Sequence, residues 1–184
     1  AQRLALETAA GHRCRMLAAY CWRWSKPDTV RGLPHDVSDP RFGGWSAPWI
    51  EKTGQHLAPE FNQYFLWATD ESKREQVGSI YSVQGFEFDY VGVIWGEDLV
   101  WRSGRWVAQL DKNKDGAFKK ELRNGLGKGA SEEEVQQKAV AMLLNVYRVL
   151  LTRGMRGSFL TVLDRETAAY LESRLVAAYA SIRA

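Results

Sequence analysis

Several common sequence features are missing from this chain of 184 residues, and each absence argues against a class of protein. There are only two cysteines, Cys14 and Cys21, and they form neither a CxxC pair nor a disulfide framework, which favours a reducing compartment. No apolar run approaches the roughly 18 residues of a membrane span, and no signal peptide is visible. We therefore expect a cytoplasmic protein with no membrane partner.

The chain also lacks a Walker A loop and a metal-binding pattern. The stretch 125–129 contains Gly-Lys, but the first glycine of G-x-x-x-x-G-K-[ST] falls on Leu122, and Gly129 replaces the hydroxyl residue. The stretch 111–116 begins like a calcium loop, yet position nine is Lys119 and position twelve is again a leucine. The histidines show no ligand spacing, so we predict no metal site.

Charge and aromatic content are less decisive. The chain has 25 basic and 22 acidic residues, a net charge of +3, which permits a nucleic-acid partner without indicating one. Eight tryptophans are a high number, and we interpret most of them as packing residues, since tryptophan supplies a large buried area.

The length suits one domain, 1–184, and strands that alternate with helices indicate an α/β fold with a mainly parallel sheet. We predict a helix over 1–12 that Gly11 ends. The predicted strands are 15–21, 77–82 and 90–95, a hairpin over 99–107 with Ser-Gly at its turn, and 158–163; 61–68 fits either helix or strand. Two irregular insertions interrupt this pattern: 25–60, which holds all five prolines and short strands around Trp45 and Trp49, and 111–130, a predicted mobile loop.

The clearest helix begins at Ser131, which forms a capping box with Glu134. It should stop near Thr152-Arg153-Gly154, with Gly154 as a left-handed cap. Asp164 is predicted to cap a final helix. The inner face of that helix would consist of Ala168, Leu171, Leu175, Tyr179 and Ile182.

Polar residues cluster at the beginning of two predicted strands. Gln84, Gly85 and Glu87 precede the strand at 90–95, although a plain turn needs only the glycine. Arg153 and Arg156 follow the long helix and precede the next strand. In a parallel α/β sheet the helix-to-strand junctions share one edge, where a fixed arginine can meet phosphate charge. A plainer alternative remains open, in which Arg153 caps helix carbonyls and Glu87 pairs with a surface lysine.

Two stretches resemble helicase motifs. Ser79-Ile80-Tyr81-Ser82-Val83-Gln84-Gly85-Phe86-Glu87-Phe88-Asp89 resembles motif V of superfamily 1 helicases, T-x-H-x-[AS]-[KQ]-G-x-E-F-[DE]. Asn145-Val146-Tyr147-Arg148-Val149-Leu150-Leu151-Thr152-Arg153-Gly154 resembles motif VI. Together with the stretch LAAYCWRW earlier in the chain, these two sequences are most similar to the Schlafen-like DNA/RNA helicase family. The resemblance extends from about Arg15 to Asp164.

The resemblance implies a RecA-like, three-layer second motor domain without its own Walker A motif. ATP with Mg²⁺ would be held mainly by an upstream domain carrying Walker A and Walker B, and Arg153 would reach the γ-phosphate. Ser79 stands where the family often has threonine, and Tyr81 where many members have histidine. The resemblance assigns Glu87 to the ribose, and Ser79, Tyr81, Gln84 and Gly85 to contacts with the nucleic-acid backbone. Gly85 would also let a nucleotide phosphate approach the backbone closely, and Arg156 and Arg148 are second-rank candidates for phosphate or cleft contacts.

The implied function is part of an ATP-dependent helicase or translocase on single-stranded DNA or RNA. The chain begins Ala-Gln-Arg rather than with methionine, which indicates a piece of a longer protein, and alone it is expected to hydrolyse nothing. Two alternatives remain. One is a non-catalytic nucleic-acid-binding module with a vestigial motor fold, and the other is an ATP-driven switch that gates an attached nuclease domain.

Overall fold

A computed structural model of the chain describes residues 1–27, 32–50 and 67–182. Four parallel strands form its main sheet, and the predicted α/β fold with a mainly parallel sheet is confirmed. In chain order the elements are α1 (Gln2–Ala9), β1 (Cys14–Ala18), β2 (Val37–Ser38), β3 (Ser46–Ala47), β4 (Val77–Gly78), β5 (Phe88–Trp95), β6 (Leu99–Arg102), β7 (Arg105–Ala108), α2 (Gly116–Gly127), α3 (Glu132–Leu151), β8 (Gly154–Val162) and α4 (Arg165–Ile182).

The strand order in the main sheet is β4-β1-β5-β8, so β5 is paired on both sides. Leu17 of β1 pairs with Val93 of β5, and Val93 pairs in turn with Leu160 of β8. At the beginning of the same two strands, Phe88 pairs with Gly154. This register places the segments that precede β5 and β8 side by side.

Alternate residues of the strands face opposite layers, as the pleat of a strand requires. Met16 belongs to a buried cluster with Leu4 of α1, whereas the adjacent Leu17 belongs to a second cluster with Val93 and with Leu143 of α3. One face of the sheet is therefore covered by α1 and the other by α3. No helix among the described residues is long and apolar enough to cross a membrane.

Several local predictions are confirmed. The Ser131 hydroxyl accepts from the Glu134 N–H, and a Glu134 carboxylate oxygen accepts from the Ser131 N–H, which completes the capping box of α3. Ser103 and Gly104 form the turn between β6 and β7 with positive φ values. Within the insertion, β2 and β3 pair as a short hairpin and Trp49 bridges to Val77, while residues 28–31 and 51–60 lie outside the described part.

The prediction of a mobile loop at 111–130 is wrong, because most of this segment is α2. Asp115 caps the helix: its carboxylate accepts from the N–H groups of Ala117 and Phe118. Phe118 and Leu122 are buried against α3. Two large apolar side chains on one stripe suffice to hold this otherwise polar helix on the core.

Gly154 is not the left-handed cap that its position predicted. It begins β8, and it is not among the glycines with positive φ. A Cβ at this position would collide with the carbonyl oxygen of Gly157. Glycine is therefore needed here for a close approach of backbone to backbone rather than for an unusual backbone angle.

Two further boundaries differ from prediction. Only Val77 and Gly78 of the predicted strand at 77–82 pair, and the residues after them form a turn. Leu175 and Tyr179 of α4 are 54% and 68% exposed, so its packed face ends near Leu171; the side chain of residue 182 is outside the described part. Of the ambiguous segment 61–68, residues 61–66 are outside it too.

The predicted Asp164 cap is present and also anchors α4 to the β6–β7 hairpin. Its Oδ1 accepts from the Thr167 N–H at 2.8 Å, while both carboxylate oxygens accept from the Arg102 guanidinium at 2.7 and 2.5 Å. The Thr167 hydroxyl in turn accepts from the Trp101 N–H at 2.9 Å. The Arg102 hydrogen bonds hold the pKa of Asp164 well below its usual range.

Asp164→Asn is therefore expected to lower the free energy of unfolding by about 1–2 kcal/mol at neutral pH, since a cap and a forked ion pair both weaken. A carboxylate with a lowered folded-state pKa stabilises the fold above about pH 4 and loses this contribution as the pH falls. The difference between wild type and variant in urea unfolding should therefore shrink below about pH 4. An Asp111→Asn control should change neither the free energy of unfolding nor its pH dependence. If the stability difference between wild type and Asp164→Asn stays the same at acidic pH, the ion-pair explanation is contradicted.

Candidate nucleotide and nucleic-acid site

The two stretches that carried the helicase-like patterns meet at one end of the sheet. Residues 79–87, called the 79–87 loop below, connect β4 to β5, and Arg153 lies between α3 and β8. The Phe88 N–H donates to the Arg153 carbonyl at 2.9 Å, so the two backbones are directly joined. Sequence topology predicted that these junctions share an edge, and the structure confirms it.

The side chain of Arg153 is half-buried between the end of α3 and the 79–87 loop. Its Nε donates to the Val149 carbonyl at 3.2 Å, and its terminal nitrogens donate to the Phe86 carbonyl at 3.5 Å and the Thr152 hydroxyl at 3.4 Å. The first contact is the helix-capping role of the plainer alternative, while the second links the two motifs. Among the described residues no carboxylate pairs with this guanidinium, so its positive charge is not neutralised locally.

Ser79 organises the loop from inside. It is fully buried, its N–H donates to the Ser82 hydroxyl at 2.8 Å, and its own hydroxyl accepts from the Tyr81 N–H at 3.4 Å. Ser82 returns a hydrogen bond from its hydroxyl to the Ser79 carbonyl at 3.0 Å. A direct contact from the Ser79 side chain to nucleic acid would require this turn to open, so the structure places it as a residue that shapes the loop.

Gln84, Gly85 and Glu87 form the exposed rim of the loop. Gly85 has φ +82°, a backbone conformation that favours glycine, and apart from its chain neighbours no atom of the described residues lies within 4 Å of where a Cβ would be. No hydrogen bond or ion pair of the Glu87 side chain occurs within the described ranges, so the surface-lysine pairing of the plainer alternative is not seen there.

Tyr81 projects from the loop on the side of α2 and is 53% exposed. Its hydroxyl donates to the Asp115 carboxylate at 2.8 Å, and its ring lies edge-on to Tyr20 at 5.7 Å between centroids. Partial burial, reinforced by the Asp115 carboxylate, raises the pKa of Tyr81 to about 12. The phenol therefore stays protonated and neutral at physiological pH.

Arg156 lies on β8 and is more exposed than Arg153. Its Nε is 3.4 Å from Asp89, whose carboxylate also accepts from the Arg13 N–H at 2.9 Å. That backbone hydrogen bond first, and the Arg156 charge second, lower the pKa of Asp89. Arg156 thus starts from an ion pair, in contrast to Arg153. Arg148 is exposed in the last turn of α3.

A buried polar network beyond the other end of β5 was not predicted. Asp98 is fully buried; one oxygen accepts from the Tyr147 hydroxyl at 2.6 Å and the other from the Asn113 amide at 2.9 Å. The Tyr147 hydroxyl also accepts from the Gly96 N–H at 2.9 Å. The network ties the end of β5 to α3 and to the residues just before α2. Nothing in the sequence distinguishes these polar residues from surface ones.

The arrangement places a guanidinium that pairs with no carboxylate in the described part of the chain, and an exposed carboxylate, on two segments joined by a backbone hydrogen bond. A guanidinium of this kind can stabilise negative charge on a phosphoryl group, and a carboxylate can accept hydrogen bonds from sugar hydroxyls. The positive φ and open surroundings of Gly85 leave the backbone between them accessible.

Comparisons with known proteins give one family and one curated relative. The chain matches the family described as Schlafen group 3, DNA/RNA helicase domain, over residues 1–164. The uncharacterized protein YPL245W of Saccharomyces cerevisiae is 28% identical over 159 residues, which cover 84% of this chain and 30% of that protein. No solved structure matches the chain.

Proposed function

Since the chain belongs to the Schlafen group 3 DNA/RNA helicase domain family, we propose that it is the second, RecA-like motor domain of an ATP-dependent helicase or translocase. The family supports a helicase-related role and an interaction with nucleic acid. The chain spans 30% of the length of its curated relative, so the activity of the whole protein is part of the proposal.

The observation that most supports the proposal is the joining of the two motifs by Arg153. Its carbonyl accepts from Phe88 and its guanidinium reaches Phe86, so the arginine is held at the mouth of the 79–87 loop. A motor needs such a link, because a structural change at the bound nucleotide must be transmitted to the residues that bind the nucleic-acid strand. Arg153 has no carboxylate partner among the residues that the structure describes, which suits an arginine finger.

In this proposal each residue has a role that its placement allows. Bound ATP with Mg²⁺ supplies the phosphoryl group and is held mainly by an upstream Walker A and Walker B domain. Arg153 stabilises charge that develops on that group, and Glu87 accepts from the ribose, with Gly85 leaving room at the backbone. Arg156 contributes a second cation after release from Asp89, and Tyr81 and Gln84 contact the nucleic acid while Ser79 holds their loop.

The test is ATP hydrolysis by the full-length protein, measured with and without single-stranded DNA or RNA. We expect nucleic acid to stimulate turnover, and strand separation to accompany it if the motor unwinds. Binding without any hydrolysis would overturn the proposal in favour of a non-catalytic module. Stimulated hydrolysis without movement along the strand would instead indicate a switch that gates an attached domain.

A further inference from the structure

A groove of about 510 Å³ lies beside the 79–87 loop, between the segment that follows β1 and the beginning of α2. One wall carries three half-buried aromatic rings and an exposed arginine, and the other carries two lysines. The lining residues that matter here are Tyr20, Trp22, Arg23, Trp24, Lys114 and Lys119.

The two walls of the groove are hydrogen-bonded to each other. The Lys114 N–H donates to the Tyr20 carbonyl at 2.6 Å, which joins the wall of α2 directly to the aromatic wall. The residue before Lys114 is Asn113, whose amide is held by the buried Asp98 carboxylate. The groove therefore keeps its width because a fully buried hydrogen-bond network supports it from below.

The aromatic wall is backed by further aromatic rings. Tyr20 stacks on Trp49 with centroids 5.4 Å apart and planes inclined by 19°, and Trp24 stacks on the same buried ring at 5.3 Å and 22°. Trp22 is fixed separately, since its indole N–H donates to the Ser38 carbonyl at 2.8 Å. Rings fixed from behind and half-buried in a groove are the kind of platform on which nucleobases stack.

The charge of the groove is positive. Of the described residues that line the groove, Arg23, Lys114 and Lys119 are cationic and Asp115 is the one carboxylate, which already caps α2 and accepts from the Tyr81 hydroxyl. Lys114 donates to the Asp111 carbonyl at 2.7 Å, and its ammonium group forms no ion pair within the described ranges. Cations interleaved with aromatic rings complement a chain of phosphates and bases.

We propose that this groove binds single-stranded nucleic acid, with bases stacked on the Tyr20–Trp24 wall and phosphates held by Arg23, Lys114 and Lys119. The inference rests on the proposed function and extends it, because Tyr81 contacts both Tyr20 and Asp115 and so connects the 79–87 loop to the groove. A duplex is excluded as the occupant because its bases are stacked on each other and cannot lie against the rings.

The experiment compares charge reversals in the full-length protein by fluorescence anisotropy, using labelled 20-mers of single-stranded DNA and RNA at several salt concentrations. The test variant is Arg23→Glu/Lys119→Glu. Lys119 lies near the N-terminus of α2, where an acidic residue suits the helix dipole, so the fold should tolerate it. The matched control is Lys120→Glu/Arg123→Glu, which makes the same charge change at exposed positions of α2 outside the groove.

We expect the test variant to raise Kd by about tenfold or more. The negative slope of log binding constant against log salt concentration should become shallower by about 1.4, for two lost phosphate contacts. The control should stay within about twofold. Equal losses of affinity for DNA and RNA would indicate that the groove recognises features that the two polymers share. A loss of affinity for only one of them would identify that polymer as the ligand. Unchanged affinity and slope, or equal losses in test and control variants, overturn the inference.

Two further measurements separate this inference from the motor proposal. Photo-cross-linking of an oligonucleotide with 5-iodo-pyrimidines should label the peptide that contains Tyr20–Trp24, and labelling confined to other peptides overturns the stacking assignment. A wild-type protein that binds strands in the groove but hydrolyses no ATP refutes the motor and leaves the groove intact. Normal stimulated hydrolysis together with unchanged binding by the test variant refutes the groove alone.

Discussion

Arg153→Ala is expected to lower the nucleic-acid-stimulated kcat for ATP hydrolysis by about 10³-fold in the full-length protein, the lower end of the range for arginine fingers. The expected cause is the loss of a fixed positive charge from the transferring phosphoryl group. The guanidinium makes only long hydrogen bonds, from 3.2 to 3.5 Å, and has no acidic partner in the described part of the chain. It can therefore turn towards a phosphate at small cost.

The measurement separates this role from simple helix capping. ATP affinity, followed by titration with a fluorescent nucleotide, should change by less than about tenfold because the Walker A domain supplies most of the binding. Arg153→Lys keeps the charge but loses the planar fork, so it should recover little of the rate. An Arg123→Ala control on α2 should leave kcat unchanged. If Arg153→Ala lowers thermal stability but not kcat, the arginine is a cap and the motif assignment is wrong.

Asp98→Ala is expected to lower the free energy of unfolding of the 184-residue chain by about 2–5 kcal/mol, as measured by urea denaturation. The substitution leaves the Tyr147 hydroxyl and the Asn113 amide without their acceptor, and both residues are buried. Each buried unpaired donor costs about 1–3 kcal/mol. Because the phenol also accepts from the Gly96 N–H, its reorientation would disturb the end of β5 as well.

Two companion variants test the origin of the loss. Asp98→Asn retains one acceptor oxygen and should be less destabilising than Asp98→Ala. Tyr147→Phe removes one donor together with the acceptor of the Gly96 N–H, and should cost about 1–3 kcal/mol. The matched control is Asp111→Ala, which replaces an exposed aspartate close to Asn113 in the sequence and should leave the free energy of unfolding unchanged. A loss below about 1 kcal/mol for Asp98→Ala would show that the donors find other partners.

The sheet and α3 were predictable because their signals are local. A capping box with a helical repeat of apolar residues marks α3, while β-branched residues mark β5 and a short, mostly apolar run marks the second half of β8. Arg15 shows the limit of such reasoning. It is buried in β1, where its guanidinium donates to the carbonyls of Trp67 and Asp70, at 3.0 and 3.1 Å. Those acceptors lie more than fifty residues away, and no local pattern reveals them.

The error at α2 has a similar cause. Its polar composition suggested a loop, yet burial of Phe118 and Leu122 against α3 decides the structure, and this contact is tertiary. Gly154 was recognised as a special position for the wrong reason. The collision with the Gly157 carbonyl arises where β8 is irregularly paired with β5, since the register shifts between Phe88 and Tyr90.

The candidate site was predictable only in part. Parallel topology was enough to bring the last residues of the 79–87 loop and Arg153 to one end of the sheet. It could not show that Ser79 is buried within the loop or that Arg153 donates to Phe86. The aromatic groove was missed because the tryptophans were interpreted as packing residues. The available signal was an aromatic residue at every second position of Tyr20-Cys21-Trp22-Arg23-Trp24, with a basic residue between the two tryptophans. The second wall is supplied by α2 and the residues just before it.

The parallel sheet also sets the order in which the protein can acquire its site during synthesis. Its pairings join distant segments, as for Leu17 with Val93 and Val93 with Leu160, and closing such long loops makes folding slow. Helix α3, the β6–β7 hairpin and the hydrogen bond from Arg153 to the Val149 carbonyl can form locally, but the contacts of Arg153 with Phe86 and Phe88 form only when β8 pairs with β5. Residues through Val162 must therefore leave the ribosome before the arginine is fixed beside the 79–87 loop. Until then, the central strand exposes one unpaired edge to other chains.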